Sequence, residues 1–372
     1  MILENDFQDY NPSWKGKAIQ SKAPAVKVES TDRLTLTHRD GGQQMVSIRD
    51  VANEAGVAIS TVSKVLNNYP NVSEATRDKV NRAIEKLGFV PNAVAAALSS
   101  KQPGRVALII NETNQQAVDE IDMQYLSGAL PTARKSGLDV ITLFFSMIRD
   151  KSIEEIITYL RSQNVQGIVV FGLSKDEETL LKLVEREEFK MVLIDAPLVN
   201  SSTSCVWIDQ LKAQYDVMDE LLKHDKAKKV LYLSGKKNSF VMDGRLKGIK
   251  KICEERGLKL TVRVADFSEK KAREIVLAEA EKYDLVACAS DLMAIGAMRA
   301  LTDMDIFRPV CGFDGISLMG YAGKQMTTVK QDFISLAATA IEEINLLLNG
   351  ACGREVIVPH KVVKIEYLDV IN

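Results

Sequence analysis

Histidine is scarce in this chain: His38, His224 and His360 are the only three in 372 residues. A histidine-based nucleophile or metal centre has little to be built from, and no H-E-x-x-H occurs. The five cysteines, Cys205, Cys253, Cys288, Cys311 and Cys352, are odd in number and scattered, with no C-x-x-C and no histidine pairing nearby. They read as buried thiols in a reducing cytoplasm. No apolar run reaches about 18 residues, and the opening MILENDFQDYNPSWK lacks the apolar core of a secretory leader, which predicts a soluble protein without a membrane partner. G-x-G-x-x-G, G-x-x-x-x-G-K-[ST] and G-x-S-x-G are all missing, so dinucleotide, P-loop and nucleophile-elbow chemistry have no motif to stand on. Neither catalysis nor a cofactor is expected.

Net charge is also nearly absent, at -2 from 48 basic and 50 acidic side chains. The total conceals a sorting along the chain. Residues 1–44 carry 6 basic and 6 acidic residues, with prolines at 12 and 24 and little apolar periodicity. That segment suits a flexible tail. Gly41-Gly42 lies shortly before Met45, and two glycine codons can spell a ribosome-binding sequence, so translation is expected to begin at Met45. Residues 45–105 carry 8 basic against 5 acidic residues, and the remaining 267 carry 34 against 39. A small basic module therefore precedes a large acidic one, the arrangement expected if the first meets a polyanion.

The densest pattern lies in SIRDVANEAGVAISTVSKVLNNYPNVSEATRDKVNRAIEKLGFVPN. Ser47 and Asp50 make a capping-box pattern, and Ile48, Val51, Ala52 and Ala55 recur at helical spacing, predicting a helix over 48–55. Gly56 supplies a tight turn, after which Val62, Val65 and Leu66 form the inward stripe of a second short helix. A third begins after Ser73, buries Val80, Ala83, Ile84 and Leu87, and ends at Gly88. Two short helices around a glycine turn, closed by a third, make a helix-turn-helix module. Its second helix turns Ile59, Ser60, Thr61, Ser63, Lys64 and Asn67 outward, short hydrogen-bonding groups plus one cation, which suit a major groove and its phosphates.

The run IRDVANEAGVAISTVSKVLNN, continued by VSEATRDKVNRAIEKLGFVPNAVAAALSS, resembles the LacI/GalR family of transcriptional regulators. The resemblance implies a homodimer reading a palindromic double-stranded operator, with Ile59, Ser60 and Lys64 at base edges and Ser47, Thr61, Ser63 and Asn67 completing the DNA-contacting set, Thr61 and Ser63 on phosphates. Two positions depart from the family. Ala58 stands where an N-capping serine is usual, which should weaken the start of the second helix by about 1 kcal/mol. Lys64 replaces the usual arginine and cannot make a bidentate guanine contact. The alanine-rich segment after Pro91 matches the family's hinge helix, implying that Leu98 wedges into the minor groove with Asn92 and Ala95 beside it.

From Arg105 onward the pattern alternates apolar runs with amphipathic stretches: RVALIIN, a helix to about Ser136, LDVITLFF, a helix over 151–163, GIVVFG, then KMVLID, CVWID, KVLYLS, DLVACAS and RPVCGF. Such alternation predicts parallel, doubly wound sheets, and there are too many units for one sheet. Two Rossmann-like lobes with a cleft at the strand C-termini follow.

The family resemblance continues through 243–248, 289–297, 312–314 and 328–333. It implies that Arg245 and Asp314 clamp a small effector in the cleft, typically a sugar or a nucleobase, with Asp195 and Asp291 as acceptors and Phe333 as an apolar face. Family members often carry an Asn-Pro-Phe-Phe type stretch after the first strand. Here Asp119-Glu120-Ile121-Asp122 takes its place, so aromatic stacking is expected to be lost at that wall. The added charge, with Asp122 at the cleft, disfavours a sugar phosphate and suits a hydroxyl-rich or amine-bearing ligand, a neutral sugar first.

The expected fold is therefore α+β and multidomain: a tail over 1–44, a three-helix helix-turn-helix domain over 45–90, a hinge helix or linker over 91–104, and two Rossmann-like α/β lobes of periplasmic-binding-protein type over 105–372. The expected function is that of a cytoplasmic, nucleoid-associated, dimeric repressor controlled by a small effector. A periplasmic solute-binding protein would share the cleft, but it should carry a signal peptide and no helix-turn-helix. An enzyme built on the same lobes is disfavoured by the missing motifs.

Overall fold

The computed structural model describes residues 46–66, 69, 71–89, 105–110, 118–223, 226–322 and 325–371. The expected tail and start at Met45, Asn67, and the hinge with Asn92, Ala95 and Leu98 lie outside the described residues. The chain divides into two compact units, one up to Val90 and one from Pro91.

In the first unit, local chemistry sets each helix end. Helix α1 (Ile48–Ala55) starts from a reciprocal cap: the Asp50 carboxylate accepts from the Ser47 amide at 2.8 Å, while Ser47 Oγ accepts from the Asp50 amide at 3.4 Å. Gly56 ends it with φ 64, a left-handed turn that costs a glycine nothing sterically. Helix α2 (Ile59–Leu66) follows, and then α3 (Glu74–Leu87), capped by Ser73 Oγ and closed by Gly88. Val51, Ala52, Val62, Val65, Val80 and Ala83 form the buried core, with Ile48, Leu66, Ile84 and Leu87 packed half-buried around it.

The second unit holds two six-stranded sheets. The first runs in the order β11-β5-β4-β3-β1-β2, from β1 (Arg105–Ile110), β2 (Asp139–Phe144), β3 (Val165–Phe171), β4 (Lys190–Ile194), β5 (Thr203–Trp207) and β11 (Glu355–Ile357), all parallel. Alternation within β1 sends Val106, Leu108 and Ile110 to one face and Ala107 and Ile109 to the other. Helices α4 (Val118–Lys135) and α11 (Phe333–Leu348) cover the first face; α5 (Ile153–Ser162) and α6 (Glu178–Arg186) cover the second. Burial on both faces explains the nearly unbroken apolar runs of these strands.

The second sheet has the order β12-β10-β9-β8-β6-β7, from β6 (Lys229–Ser234), β7 (Lys259–Val264), β8 (Leu285–Cys288), β9 (Val310–Asp314), β10 (Met326–Lys330) and β12 (Lys361–Ile365), the last antiparallel. Its helices are α7 (Gln210–Leu222), α8 (Phe240–Glu255), α9 (Glu269–Glu279) and α10 (Asp291–Asp303), and α12 (Tyr367–Ile371) ends the described chain. The chain crosses between the lobes three times: after β5, after β10 and between β11 and β12. Strands β7, β10, β11 and β12 are not among the apolar runs visible in the sequence: β7, β11 and β12 are edge strands interrupted by Lys, Arg or Glu, and β10, an interior strand, is buried but carries two threonines. Four cysteines are buried thiols as expected, but Cys352 is exposed: it lies in the turn between α11 and β11.

Candidate functional site

In the helix-turn-helix unit, Val62 and Val65 turn α2 inward, so the other side of that helix is presented outward. Ile59, at 43% exposure, Ser60 and Lys64 are exposed, while Thr61 and Ser63 are half-buried beside them. Ala58 offers only its carbonyl, which accepts from the Thr61 and Val62 amides at 2.9 and 3.2 Å, and no side-chain cap supports the helix start. An exposed large aliphatic at the first residue of such a helix is available for an apolar contact, and the hydroxyls and the ammonium of Lys64 can donate to phosphates or base acceptors.

In the second unit, the C-terminal ends of both sheets face one cavity of about 920 Å³. Arg245, near the start of α8 and only 3% exposed, lies at its base. Its Nε donates to Gln210 Oε1 at 2.8 Å and its Nη1 to the Ala289 carbonyl at 2.5 Å; Nη1 lies 3.8 Å from Asp314 Oδ1, and the guanidinium stacks on Phe313 at 3.6 Å from the ring centroid. Gln210 in turn donates to Asp195 Oδ1 at 3.1 Å, and Gln331 to Asp314 Oδ1 at 2.9 Å. Asp195 and Asp314 terminate β4 and β9 with φ of 63° and 125°. A non-glycine residue in that region is strained, and such strain concentrates at sites where a side chain must be aimed.

Burial pushes the Asp195 carboxyl up to about 6 against the pull of Arg245, Gln210 and Tyr125. Burial likewise raises Asp314 to about 7, with Arg245 opposing and the Asp291 charge adding to the rise. Gln331 Oε1 is buried without a hydrogen-bond partner. An orphaned amide oxygen in a cavity wall is an acceptor awaiting a donor.

Arg245, Asp314, Asp195, Asp122 and Phe333 all line this cavity, so the structure brings together these five predicted residues. Asp291 is different. Its fully buried carboxylate accepts from the Gly315 and Ile316 amides at 2.7 and 2.9 Å and from Thr328 Oγ1 at 2.5 Å, and it is not part of the cavity wall. It pins the end of β9 behind Asp314, and burial raises its carboxyl to about 6 against those hydrogen bonds.

The expected loss of aromatic stacking is confined to residues 119–122 themselves. Residues 119–122 fall within α4, and aromatic rings reach the cavity from elsewhere: Tyr125, Phe171 and Phe333 cluster at centroid distances of 4.7 and 5.3 Å, and Phe145 and Phe267 stand apart from them. Sequence reasoning missed Tyr125, Gln210 and Gln331. Gln210 directly follows the apolar run CVWID, the same signal that singled out Asp195; Gln331 directly follows β10, whose two threonines keep it from reading as an apolar run. Tyr125 looks like one more core residue of an amphipathic helix.

The lobes are bridged at two rims of the cleft. Glu120 of α4 accepts from the Ser317 amide at 2.9 and 3.1 Å and from its hydroxyl at 2.8 Å. On the other side, Lys175 donates through its amide to the Asn238 carbonyl at 2.9 Å and through Nζ to Asp243 at 2.7 Å.

A helix-turn-helix unit and a two-lobed cleft with a buried polar clamp, carried on one chain, define a ligand-responsive DNA-binding regulator. Residues 47–92 match the family model of bacterial regulatory proteins of the lacI family, and residues 122–347 match that of periplasmic binding proteins and the sugar binding domain of the LacI family. The chain belongs to the LacI family of transcriptional regulators. It is 29% identical over 314 residues to the HTH-type transcriptional regulator RegA of Clostridium saccharobutylicum, covering 82% of this chain and 92% of that one. The solved structure of the Lac repressor dimer bound to operator and an anti-inducer superposes with a TM-score of 0.72 at 23% identity, over 87% of this chain and 99% of that one. The CelR–cellobiose complex gives a TM-score of 0.61 at 22% identity, over 86% and 98%. Among the described residues, no helix is long and apolar enough to cross a membrane.

Proposed function

We propose that the protein is a dimeric repressor of the cytoplasm and nucleoid that binds a palindromic operator and is controlled by a neutral sugar in its cleft. On the DNA side, α2 enters the major groove with Ile59, Ser60 and Lys64 at base edges, while Ser47, Thr61 and Ser63 hold phosphates. Asn67, Asn92, Ala95 and Leu98 complete this set, the last as the minor-groove wedge. Ile59 fits a thymine methyl, and lysine makes a looser reader of guanine than arginine.

In the cleft, Arg245 donates to ligand hydroxyls, Asp195 and Asp314 accept from them, Asp122 adds a carboxylate at the rim, and Tyr125 and Phe333 face the ring. Asp291 acts one step removed, by holding Asp314 in place. The observation that carries the sugar reading is the array of the Arg245 guanidinium, two strained carboxylates and the orphaned Gln331 oxygen around one cavity. Alternating donors and acceptors beside aromatic rings suit a polyol ring. The cleft binds its ligand without transforming it, and the ligand acts by favouring one arrangement of the lobes over another.

Selection of duplexes from a random library by the full chain, followed by titration of the selected duplex with and without sugars, tests this. The expected outcome is an inverted repeat whose affinity falls steeply with salt and changes about tenfold or more when the effector sugar is present, a coupling of about 1.4 kcal/mol. Selection of no inverted repeat would refute the DNA half, and an affinity indifferent to every sugar would refute the effector half.

A further inference from the structure

The cavity is longer than one sugar ring needs. Asp195 follows β4 and Phe145 follows β2, and these strands are three steps apart in the order β4-β3-β1-β2. At the ordinary strand spacing the two ends lie about 14 Å apart. The second lobe repeats the arrangement: Asp314 ends β9, and Phe267 follows β7 three steps away in the order β9-β8-β6-β7. The polar clamp thus sits near the three crossovers, and Phe145 and Phe267 sit at the opposite sheet edges. All four residues line the same cavity of about 920 Å³, near the upper end of ordinary ligand sites.

The far end is itself a built site. Asp266 and Phe267 are consecutive left-handed residues, with φ of 55° and 59°. Two adjacent non-glycine residues held there mark a turn under strain, and its effect is to lay the Phe267 ring against Gly235. A side chain at 235 would occupy the space of that ring, so glycine at the end of β6 is what admits it. From the first lobe, Phe145 carries the exposed Arg149 guanidinium over its ring at 5.4 Å. Arg149 and the exposed Lys236 have no ion-pair partner among the described residues, and both line the cavity. The Phe267 ring, the buried Phe145 ring beneath Arg149 and two cations without an ion-pair partner among the described residues repeat, without carboxylates as partners, the chemistry found around Arg245.

From this geometry we infer that the cleft holds a glycoside of at least two rings: the first ring at the Arg245–Asp314 clamp, the second at a subsite made by Phe145, Phe267, Arg149 and Lys236. The inference rests on the sugar reading of the clamp and adds the second subsite to it. A single hexose at the clamp leaves the far end of the cavity unfilled, whereas a second pyranose sets a C–H face against the Phe267 ring and its hydroxyls against Arg149 and Lys236, with the buried Phe145 ring backing Arg149.

Calorimetric titration of the full chain with glucose, galactose, maltose, cellobiose, trehalose, lactose and glucose 6-phosphate provides the test. At least one disaccharide should bind about tenfold or more tightly than either of its component hexoses. Phe267→Gly, which removes the ring and relieves the backbone, should reduce disaccharide affinity about tenfold more than hexose affinity. Arg149→Ala, an exposed substitution that spares the fold, should do the same to a smaller degree. Arg245→Ala should abolish both. A hexose that binds as tightly as every disaccharide would overturn the second subsite and leave the sugar reading standing. Glucose 6-phosphate outbinding all disaccharides would also overturn it, by assigning the two cations to an anion. If no saccharide binds, the sugar reading fails and the two-ring inference fails with it.

Discussion

Replacing Arg245 by methionine keeps the volume of the side chain and removes its charge, so the response should depend on pH in a calculable way. In the native protein the guanidinium is buried, bonded to Gln210 and the Ala289 carbonyl and facing Asp314. Breaking a buried ion pair costs about 3–5 kcal/mol because the remaining charge is stranded. The Asp314 side chain keeps 15% exposure at the cavity, so the lower end applies, about 3 kcal/mol. The sign follows from the carboxyls. Their folded values, about 6 for Asp195 and about 7 for Asp314, lie above the ordinary carboxylate value. Their protonated forms therefore favour the folded state at low pH, and that contribution is lost as pH rises through 6 to 7. Without Arg245 both values move higher and the loss deepens. At pH 5.5 the variant lacks little more than two hydrogen bonds, about 1–2 kcal/mol; at pH 8.5 it strands charge. For a unit of this size each kcal/mol is about 2–4 °C, so the melting difference should grow from a few degrees at pH 5.5 to about 6–12 °C at pH 8.5. Differential scanning fluorimetry at both pH values measures it. An equal difference at the two would refute the argument that Arg245 neutralises these carboxylates.

Four further outcomes can be checked. Ser73→Ala removes the cap of α3 and should lower the stability of the helix-turn-helix unit by about 1 kcal/mol, seen as faster amide exchange over 46–89 with 105–371 unchanged. Gly312→Ala would drive a methyl into the Asp291 carboxylate and break its hold on Gly315 and Ile316, costing more than about 2 kcal/mol in thermal unfolding. Glu120→Ala removes one rim contact between the lobes and should weaken effector binding roughly tenfold, with a larger radius of gyration in small-angle scattering; unchanged affinity would mean the contact does not favour closure. Lys64→Arg should narrow the bases selected at one position of each half-site, since a guanidinium can pair bidentately with guanine; an unchanged selection would remove residue 64 from the base-reading set.

The helix-turn-helix was legible almost residue by residue because everything that specifies it is short-range. The Ser47–Asp50 cap, the turns at Gly56 and Gly88, and the three apolar stripes all act within a few residues. The doubly wound character of the second unit was legible from the central strands, whose two buried faces write continuous apolar runs. The edge strand KLTVRV and the buried but threonine-bearing interior strand MTTVK write mixed patterns that do not stand out. The clamp was partly legible, since Asp195, Arg245 and Asp314 sit at predictable ends of elements. Asp291 obeys the same strand-end rule, yet Gly312 leaves room for its carboxylate to turn back toward Gly315, and nothing near Asp291 in sequence announces that. The aromatic wall was hidden for a related reason. Tyr125, Phe145, Phe171, Phe267 and Phe333 come from five elements, and only the fold assembles them.

The three crossings between the lobes carry a consequence for how the protein is made. Helix α11 covers the first sheet together with α4, and β11 extends that sheet beyond β5, yet both are synthesised after nearly all of the second lobe. Until residues 333–357 emerge, one apolar face of the first lobe has only α4 over it and lacks the rest of its cover. The second lobe waits only for β12 and α12, whose Tyr367 packs on Tyr321. Contacts of such long sequence separation form late, and exposed apolar surface in the interim is prone to aggregate. A chain cut short before about residue 333 would thus lose solubility first through its N-terminal lobe, the part already fully translated.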